Sequence, residues 1–321
     1  MKNILVIHTG GTISMQEDST SGEVKPGKTH PLSTEHLPLE NVSIKVKQLF
    51  HLPSPHITLK EMLQLRIVIE HAISEEIFDG IVVTHGTDTL EETAYFLDLT
   101  LNSQIPIVIT GAMRSSNEIG SDGLYNLLSS IKVACAPEAS SLGVLVVMND
   151  EIHTAKNVTK THTSNIATFQ SPQYGPIGIV NKRSISIHHK PLNQESYKII
   201  GITKKVILLK AYAGMDVDLF SAISSLPVDG FVIEALGQGN LPPIVIPSIE
   251  ALIKRKIPVV IVSRCFNGIV QDVYAYEGGG RHLKSMGVIL SNGLNGQKAR
   301  IKLQILLEAN YTFEQMERMF S

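Results

Sequence analysis

The chain predicts an α/β fold, with a larger N-terminal parallel-sheet domain of the flavodoxin/Rossmann-like kind and a smaller C-terminal α/β domain. Three observations predict it. Short apolar runs stop at glycine or at a polar residue, as strands buried on both faces do. Segments with helical spacing of apolar residues separate those runs, as a βαβ series requires. A length of 321 residues, 43% of them hydrophobic, can bury two cores at roughly 150 residues per domain. The polar stretch Ser184–Lys204, with His188-His189-Lys190-Pro191, marks the end of the first domain. Domains are therefore expected over 1–188 and 205–321, with a linker over 189–204.

The first strand runs from Ile4 to Thr9 and ends on Gly10-Gly11-Thr12. Ser14 to Pro31 has no apolar period, and a long insertion without structure beside a strand end is expected to be a mobile lid. Val42 to Phe50 is the next strand. Thr58 and Glu61 form a capping box ahead of Met62, Leu65, Ile69 and Ile73, the stripe of a helix. The strand Ile81 to Thr84 leads into His85-Gly86-Thr87-Asp88-Thr89. Thr89 and Glu92 repeat the box, with Leu90, Ala94, Leu97 and Leu101 on one face. Thr87 and Asp88 are thereby placed at a helix N-terminus, where amides and dipole favour an anion. Further strands are expected at Ile105 to Thr110, Leu142 to Met148, Val206 to Leu209, Gly230 to Ile233 and Pro258 to Val262. Those before Lys190 belong to one sheet. No solenoid repeat or low-complexity tract interrupts the series.

A formal net charge of −2 with scattered lysines and arginines gives no footprint for nucleic acid. No run approaches membrane-spanning length. Met1-Lys2-Asn3 leads straight into a strand, without the apolar core of a secretory signal, so the cytoplasm is expected. Cys135 and Cys265 are open to either state, and a reducing compartment favours two free core thiols.

Open α/β sheets bind ligands beyond the carboxyl ends of their strands, and two threonine-bearing segments stand there. Threonine is a weak nucleophile, so Thr12 needs a base, a desolvated site and oxyanion donors. Lys160, in the hydroxyl-rich Asn157-Val158-Thr159-Lys160-Thr161-His162-Thr163, can be a base only if burial or a nearby cation lowers its pKa. Asp88 would oppose that, which points to a hydrogen-bonded relay of Thr87, Lys160 and Asp88. Each motif alone also has a plainer reading: Gly10-Gly11-Thr12 as a tight turn, Thr87-Asp88-Thr89 as helix caps, Lys160 as a solvated charge. His8 and His85 read as satisfied core histidines, since no HExxH or CxxC accompanies them, and no metal or cofactor is expected. Gly10-Gly11 lacks the third glycine of GxGxxG and there is no GxxxxGK[ST], which disfavours a nucleotide-binding module.

Taken together, Thr9-Gly10-Gly11-Thr12-Ile13, His85-Gly86-Thr87-Asp88-Thr89-Leu90-Glu91-Glu92-Thr93-Ala94 and Thr159-Lys160 resemble the signature segments of the bacterial L-asparaginases. Ile109-Thr110-Gly111-Ala112-Met113-Arg114, Ser121-Asp122-Gly123 and Ser263-Arg264-Cys265-Phe266-Asn267-Gly268 extend the likeness along the whole chain in the same order. Without an export signal it is similar to the cytoplasmic, type I group. The resemblance implies that Thr12 attacks the side-chain amide of asparagine and that Thr87, with Lys160, activates the nucleophile or the water. It implies that Asp88 receives the α-ammonium, Ser54 the α-carboxylate with Pro55 beside it among the substrate-binding residues, and the Ala112 backbone the side-chain amide. Asn240, in Gly237-Gln238-Gly239-Asn240, resembles the segment a neighbouring subunit contributes, which implies a homodimer or homotetramer.

The pattern departs from the family at three places. The tyrosine usual on the loop after the first strand is absent between Ser14 and Pro31, where Val24 stands near its position and Lys25, Lys28 or His30 are the substitutes at hand. Pro55 offers only a carbonyl beside Ser54. Glu277 is the candidate for the acidic residue that crosses the subunit interface. The neighbouring alternatives are an enzyme of mixed glutamine and asparagine specificity, the amidase-like subunit of a transfer-RNA amidotransferase, for which no appended domain is left over, and an inactive regulator, against which stand Thr12, Thr87, Asp88 and Lys160.

Overall fold

The computed structural model describes residues 1–18, 20–26, 37, 39–75 and 77–321, and the chain falls into two compact units, Met1–Ser196 and Tyr197–Ser321. In the first unit the apolar run behind Thr9-Gly10-Gly11 is strand β1 (Lys2–Gly10), buried from Ile4 onward. After it come β2 (Met15–Glu17), β3 (Val24–Pro26), β4 (Val42–Leu52), α1 (Leu59–Ser74), β5 (Gly80–Thr84), α2 (Leu90–Thr100), β6 (Ile107–Thr110) and α3 (Gly123–Cys135). The unit closes with β7 (Val144–Met148), β8 (Glu151–Thr154), β9 (Thr159–Lys160), β10 (Phe169–Gln170), β11 (Gly178–Val180) and β12 (Ile185–Ile187).

The main sheet has eight strands in the order β12-β11-β8-β7-β6-β5-β1-β4. From β4 to β7 all neighbours are parallel, whereas β8, β11 and β12 join antiparallel. The sheet is therefore mixed, not wholly parallel as expected. The cause is local: Asn149 and Asp150 both adopt positive φ, 50° and 65°, the requirement of a two-residue hairpin turn whose twist suits the flanking strands. The chain turns back at once instead of crossing over through a helix. Lys160 consequently stands on β9, a short strand paired with β10.

Helix α1 starts at the Thr58 cap, where the Thr58–Glu61 box is complete, and buries Met62, Leu65 and Ile69. The stripe Leu90, Ala94 and Leu97 of α2 is fully buried. Ile4, Val6, Val82, Val108, Leu145 and Val147 form one core with Leu127 and Ile131 of α3. The stretch expected to be a structureless lid contains an antiparallel hairpin, since Met15 to Glu17 pair with Pro26 to Val24. Ser116 donates its backbone N–H and its hydroxyl to the Met15 carbonyl, at 3.3 and 3.1 Å, which ties the hairpin to the loop after β6.

The second unit consists of β13 (Val206–Lys210), α4 (Val217–Ser224), β14 (Gly230–Ala235), α5 (Ile246–Lys254), β15 (Val259–Ser263), α6 (Gly280–Ser285), β16 (Ile289–Leu290), α7 (Gly296–Glu308) and α8 (Phe313–Phe320). Its four strands are parallel and lie in sequence order. Phe220, Phe231, Ile233, Ile249, Leu252 and Ile261 form its core. Both cysteines are free, but only Cys135 is partly buried. Cys265 is exposed, so the expectation of a core thiol there is corrected: it follows β15 in a run of exposed residues, Arg264 to Ile269. Among the described residues no helix is long and apolar enough to cross a membrane.

Candidate active site

Numbered among themselves, the parallel strands of the first unit lie in the order second, first, third, fourth, fifth. Such a sheet reverses direction of winding between its first and third parallel strands, here β1 and β5, and the crevice beyond their carboxyl ends is where open α/β sheets bind ligands. Thr12 follows β1 and Thr87 follows β5.

Glycine brings these two strand ends together. Gly11 has φ +84°, and a Cβ built on it would lie 2.2 Å from the Gly86 Cα. A Cβ on Gly86 would in turn lie 2.7 Å from the Ser54 Cβ and 3.0 Å from the Gly11 Cα. Three segments remote in numbering therefore touch, carrying Thr12, Ser54 and Thr87. Thr12 opens a single 3-10 turn, Thr12–Ser14, held by the Ser14 hydroxyl donating to the Gly11 carbonyl at 2.8 Å.

Lys160 reaches the same place from β9. Its Nζ donates to Thr87 Oγ1 at 3.0 Å and to Asp88 Oδ1 at 2.7 Å. Lys160's side chain is 17% exposed and that of Asp88 60% exposed, so the amine is sheltered while the carboxylate is open to an incoming ligand. Thr87 is buried. Ser54, also buried, lies in a 3-10 turn after β4, and its Oγ accepts from the Asp88 backbone N–H at 3.2 Å. Pro55, beside it, is exposed. Thr89 was expected to cap α2 with its side chain. Instead its Oγ1 donates to the Ser54 carbonyl at 2.8 Å, and no side-chain cap forms. The same threonine-to-glutamate spacing thus serves to tie the Ser54 turn to α2.

Ala112 is fully buried just after β6, and its segment is clamped from α3. Asn126 Nδ2 donates to the Gly111 carbonyl at 3.1 Å, while Asp122 Oδ1 accepts from the Met113 and Arg114 amides at 3.1 and 3.0 Å. Sequence reasoning gave neither Asp122 nor Asn126 a part in the site. Glu91 was likewise missed. It is buried in the first turn of α2 and accepts from Thr159 Oγ1 at 3.0 Å and from the Lys160 backbone N–H at 3.4 Å.

His8 and His85 are buried and hydrogen-bonded. His8 Nδ1 meets Thr84 Oγ1 at 2.7 Å. His85 Nδ1 lies 2.8 Å from the Gly86 carbonyl and its Nε2 lies 2.9 Å from Thr93 Oγ1. A carbonyl can only accept, so Nδ1 carries the proton and Nε2 accepts from the threonine. Burial depresses the His85 pKa from 6.5 to about 4, which leaves the ring neutral at physiological pH and the Gly86 carbonyl fixed beside Thr87.

The remaining expected residues stand elsewhere in the chain. Asn240 and Glu277 belong to the second unit, where Asn240 Oδ1 accepts from the Gly280 N–H at 3.3 Å and Glu277 is exposed. Val24 is exposed on β3. Lys28 and His30 lie outside the described residues, as does the side chain of Lys25. No group of three or more His, Cys, Asp or Glu side chains among the described residues is arranged to hold a metal ion.

Comparison with known proteins covers both units. Residues 3–193 match the family model for the N-terminal asparaginase domain and residues 205–320 that for the glutaminase/asparaginase C-terminal domain. The chain is 39% identical to a probable L-asparaginase of Deinococcus radiodurans, over 100% of this chain and 98% of that protein. It is 36% identical to an L-asparaginase of Bacillus licheniformis, over 95% of each. A solved structure of a probable cytoplasmic L-asparaginase from Campylobacter jejuni superposes with a TM-score of 0.87 at 28% identity, covering 100% of this chain and 99% of that one.

Proposed function

The chain belongs to the asparaginase family, and from that premise we propose that it hydrolyses L-asparagine to L-aspartate and ammonia, with Thr12 as the nucleophile. Thr12 Oγ1 attacks the side-chain amide carbon and gives up its proton toward the Thr87–Lys160 pair. Charge gathers on the former carbonyl oxygen, where backbone amides at the turns after β1 and β5 stabilise it. The amide nitrogen takes up the proton that Thr12 gave, the C–N bond breaks, ammonia leaves, and an aspartyl ester remains on Thr12. Water, activated beside Thr87, attacks that ester, the C–O bond to Thr12 breaks, and aspartate is released. Asp88 pairs with the substrate α-ammonium, the Ser54 hydroxyl with its α-carboxylate, with Pro55 lining the substrate beside it, and the Ala112 backbone with its amide group.

The observation that carries this reading is the Lys160 amine within 3.0 Å of Thr87 Oγ1 and 2.7 Å of Asp88 Oδ1. It lies at the strand end that Gly86 presses against the Thr12 turn. Asn240 from a second copy completes the pocket, which makes the working form a homodimer or homotetramer, and the cytoplasm is its place of action. Ammonia release from asparagine and from glutamine by the parent protein, Thr12→Ala and Lys160→Met tests it. The expected result is release from asparagine by the parent and loss of turnover in both variants. Thr12→Ala retaining most of the turnover, or a parent inactive on both amides, would sink the assignment. Glutamine is the informative competitor because one methylene of pocket depth discriminates by only ~1 to 3 kcal/mol.

A further inference from the structure

We propose that Glu91 is a positioning residue for the hydrolysis: its buried carboxylate, fixed in the first turn of α2, holds β9 in the one place from which the Lys160 amine reaches Thr87 and Asp88. The inference rests on the role given to Lys160 above.

Strand β9 is only two residues long, and its pairing with β10 consists of Thr159 opposite Gln170 and Lys160 opposite Phe169. So short a ribbon does not set its own position, because two-stranded pieces are marginal without packing against something larger. Glu91 fixes it to α2, through Thr159 Oγ1 at 3.0 Å and the Lys160 backbone N–H at 3.4 Å. Glu91 is 5% exposed, so this carboxylate has left water for those donors. The loop that enters α2 also carries Thr87 and Asp88. The five residues from Thr87 to Glu91 thus carry both the groups that receive the amine and the group that aims it. The long lysine side chain has many rotamers, and fixing its backbone against the helix entered by the loop that bears its targets is what reduces them.

Steady-state kinetics on asparagine over a range of pH tests this, with the parent, Glu91→Ala, Glu91→Gln, Thr159→Val and Lys160→Met side by side and the folded fraction of each measured by thermal unfolding. Glu91→Ala is expected to lower kcat about 10- to 100-fold per folded molecule. KM should change by less than about 3-fold, and the kcat–pH profile should be displaced, because the surroundings of the amine change. Glu91→Gln keeps an accepting oxygen and should recover most of the turnover. Thr159→Val removes only the hydroxyl contact at near-constant volume and should displace the profile in the same direction, which gives a reading even if Glu91→Ala fails to fold. An unmoved kcat and profile in Glu91→Ala or Thr159→Val, or a Glu91→Gln protein as slow as Glu91→Ala, would overturn the proposal. A parent without ammonia release, or an active Lys160→Met protein, would instead remove the functional reading beneath it, so the two failures are distinguishable.

Discussion

Gly11 packs so closely on Gly86 that a Cβ added to the first would stand 2.2 Å from the Cα of the second. Neither backbone has slack, since Gly86 is also pressed on Ser54 and Gly11 lies in the left-handed region. Gly11→Ala adds conformational strain to a backbone clash and is expected to cost at least about 2 kcal/mol of stability. Denaturant unfolding measures this, and a Gly11→Ala protein as stable as the parent would mean that the turns after β1 and β5 do not pack in this way.

Thr89 and Ser54 give a second, more local test. Thr89→Val keeps the shape and removes the hydroxyl that donates to the Ser54 carbonyl. About 1 kcal/mol of stability should be lost. Because Ser54 is assigned to the substrate carboxylate, KM for asparagine should rise roughly 3- to 10-fold while kcat stays within about 2-fold. A fall in kcat at constant KM would contradict that assignment.

Thr58 provides the contrast. Its side chain caps α1 together with Glu61, and hydrogen bonding from Thr58 holds the Glu61 carboxyl below its ordinary pKa. Thr58→Ala is expected to cost about 1 kcal/mol in unfolding experiments with no change in KM. A changed KM would show that α1 and the Ser54 turn are coupled more tightly than their hydrogen bonds indicate.

His85 makes stability depend on pH. Its folded-state pKa is about 4 against an ordinary 6.5, so between those values the unfolded chain takes up a proton that the native chain refuses. The stabilisation is fully present above about pH 6.5 and is lost as pH falls toward 4, on the order of 3 kcal/mol in all. His85→Gln should flatten this part of the stability–pH curve relative to the parent in urea unfolding. Parallel curves for the two proteins would show that the ring is not held neutral by burial.

What could be read from sequence followed from the strength of each local signal. The long apolar runs ending in Thr9-Gly10-Gly11 and Thr84-His85-Gly86 announced buried parallel strands, and β1 and β5 end there. The three antiparallel strands of the sheet went unseen because β8, β11 and β12 are only three or four residues long. The turn that creates them is an Asn-Asp pair without glycine. Thr58 and Thr89 share one spacing to glutamate, yet only Thr58 caps, since a contact of Thr89 across the fold outweighs its local preference. Glu91 was hidden for the same reason: nothing in a helix-start pattern says which carboxylate turns inward to a strand some seventy positions later, at Thr159.

The two thiols differ in a way that serves experiment. Burial pushes the Cys135 thiol up from its ordinary pKa, whereas Cys265 stands exposed after β15. A maleimide dye at neutral pH should therefore label the smaller unit first, giving it an optical reporter without any engineering of the chain.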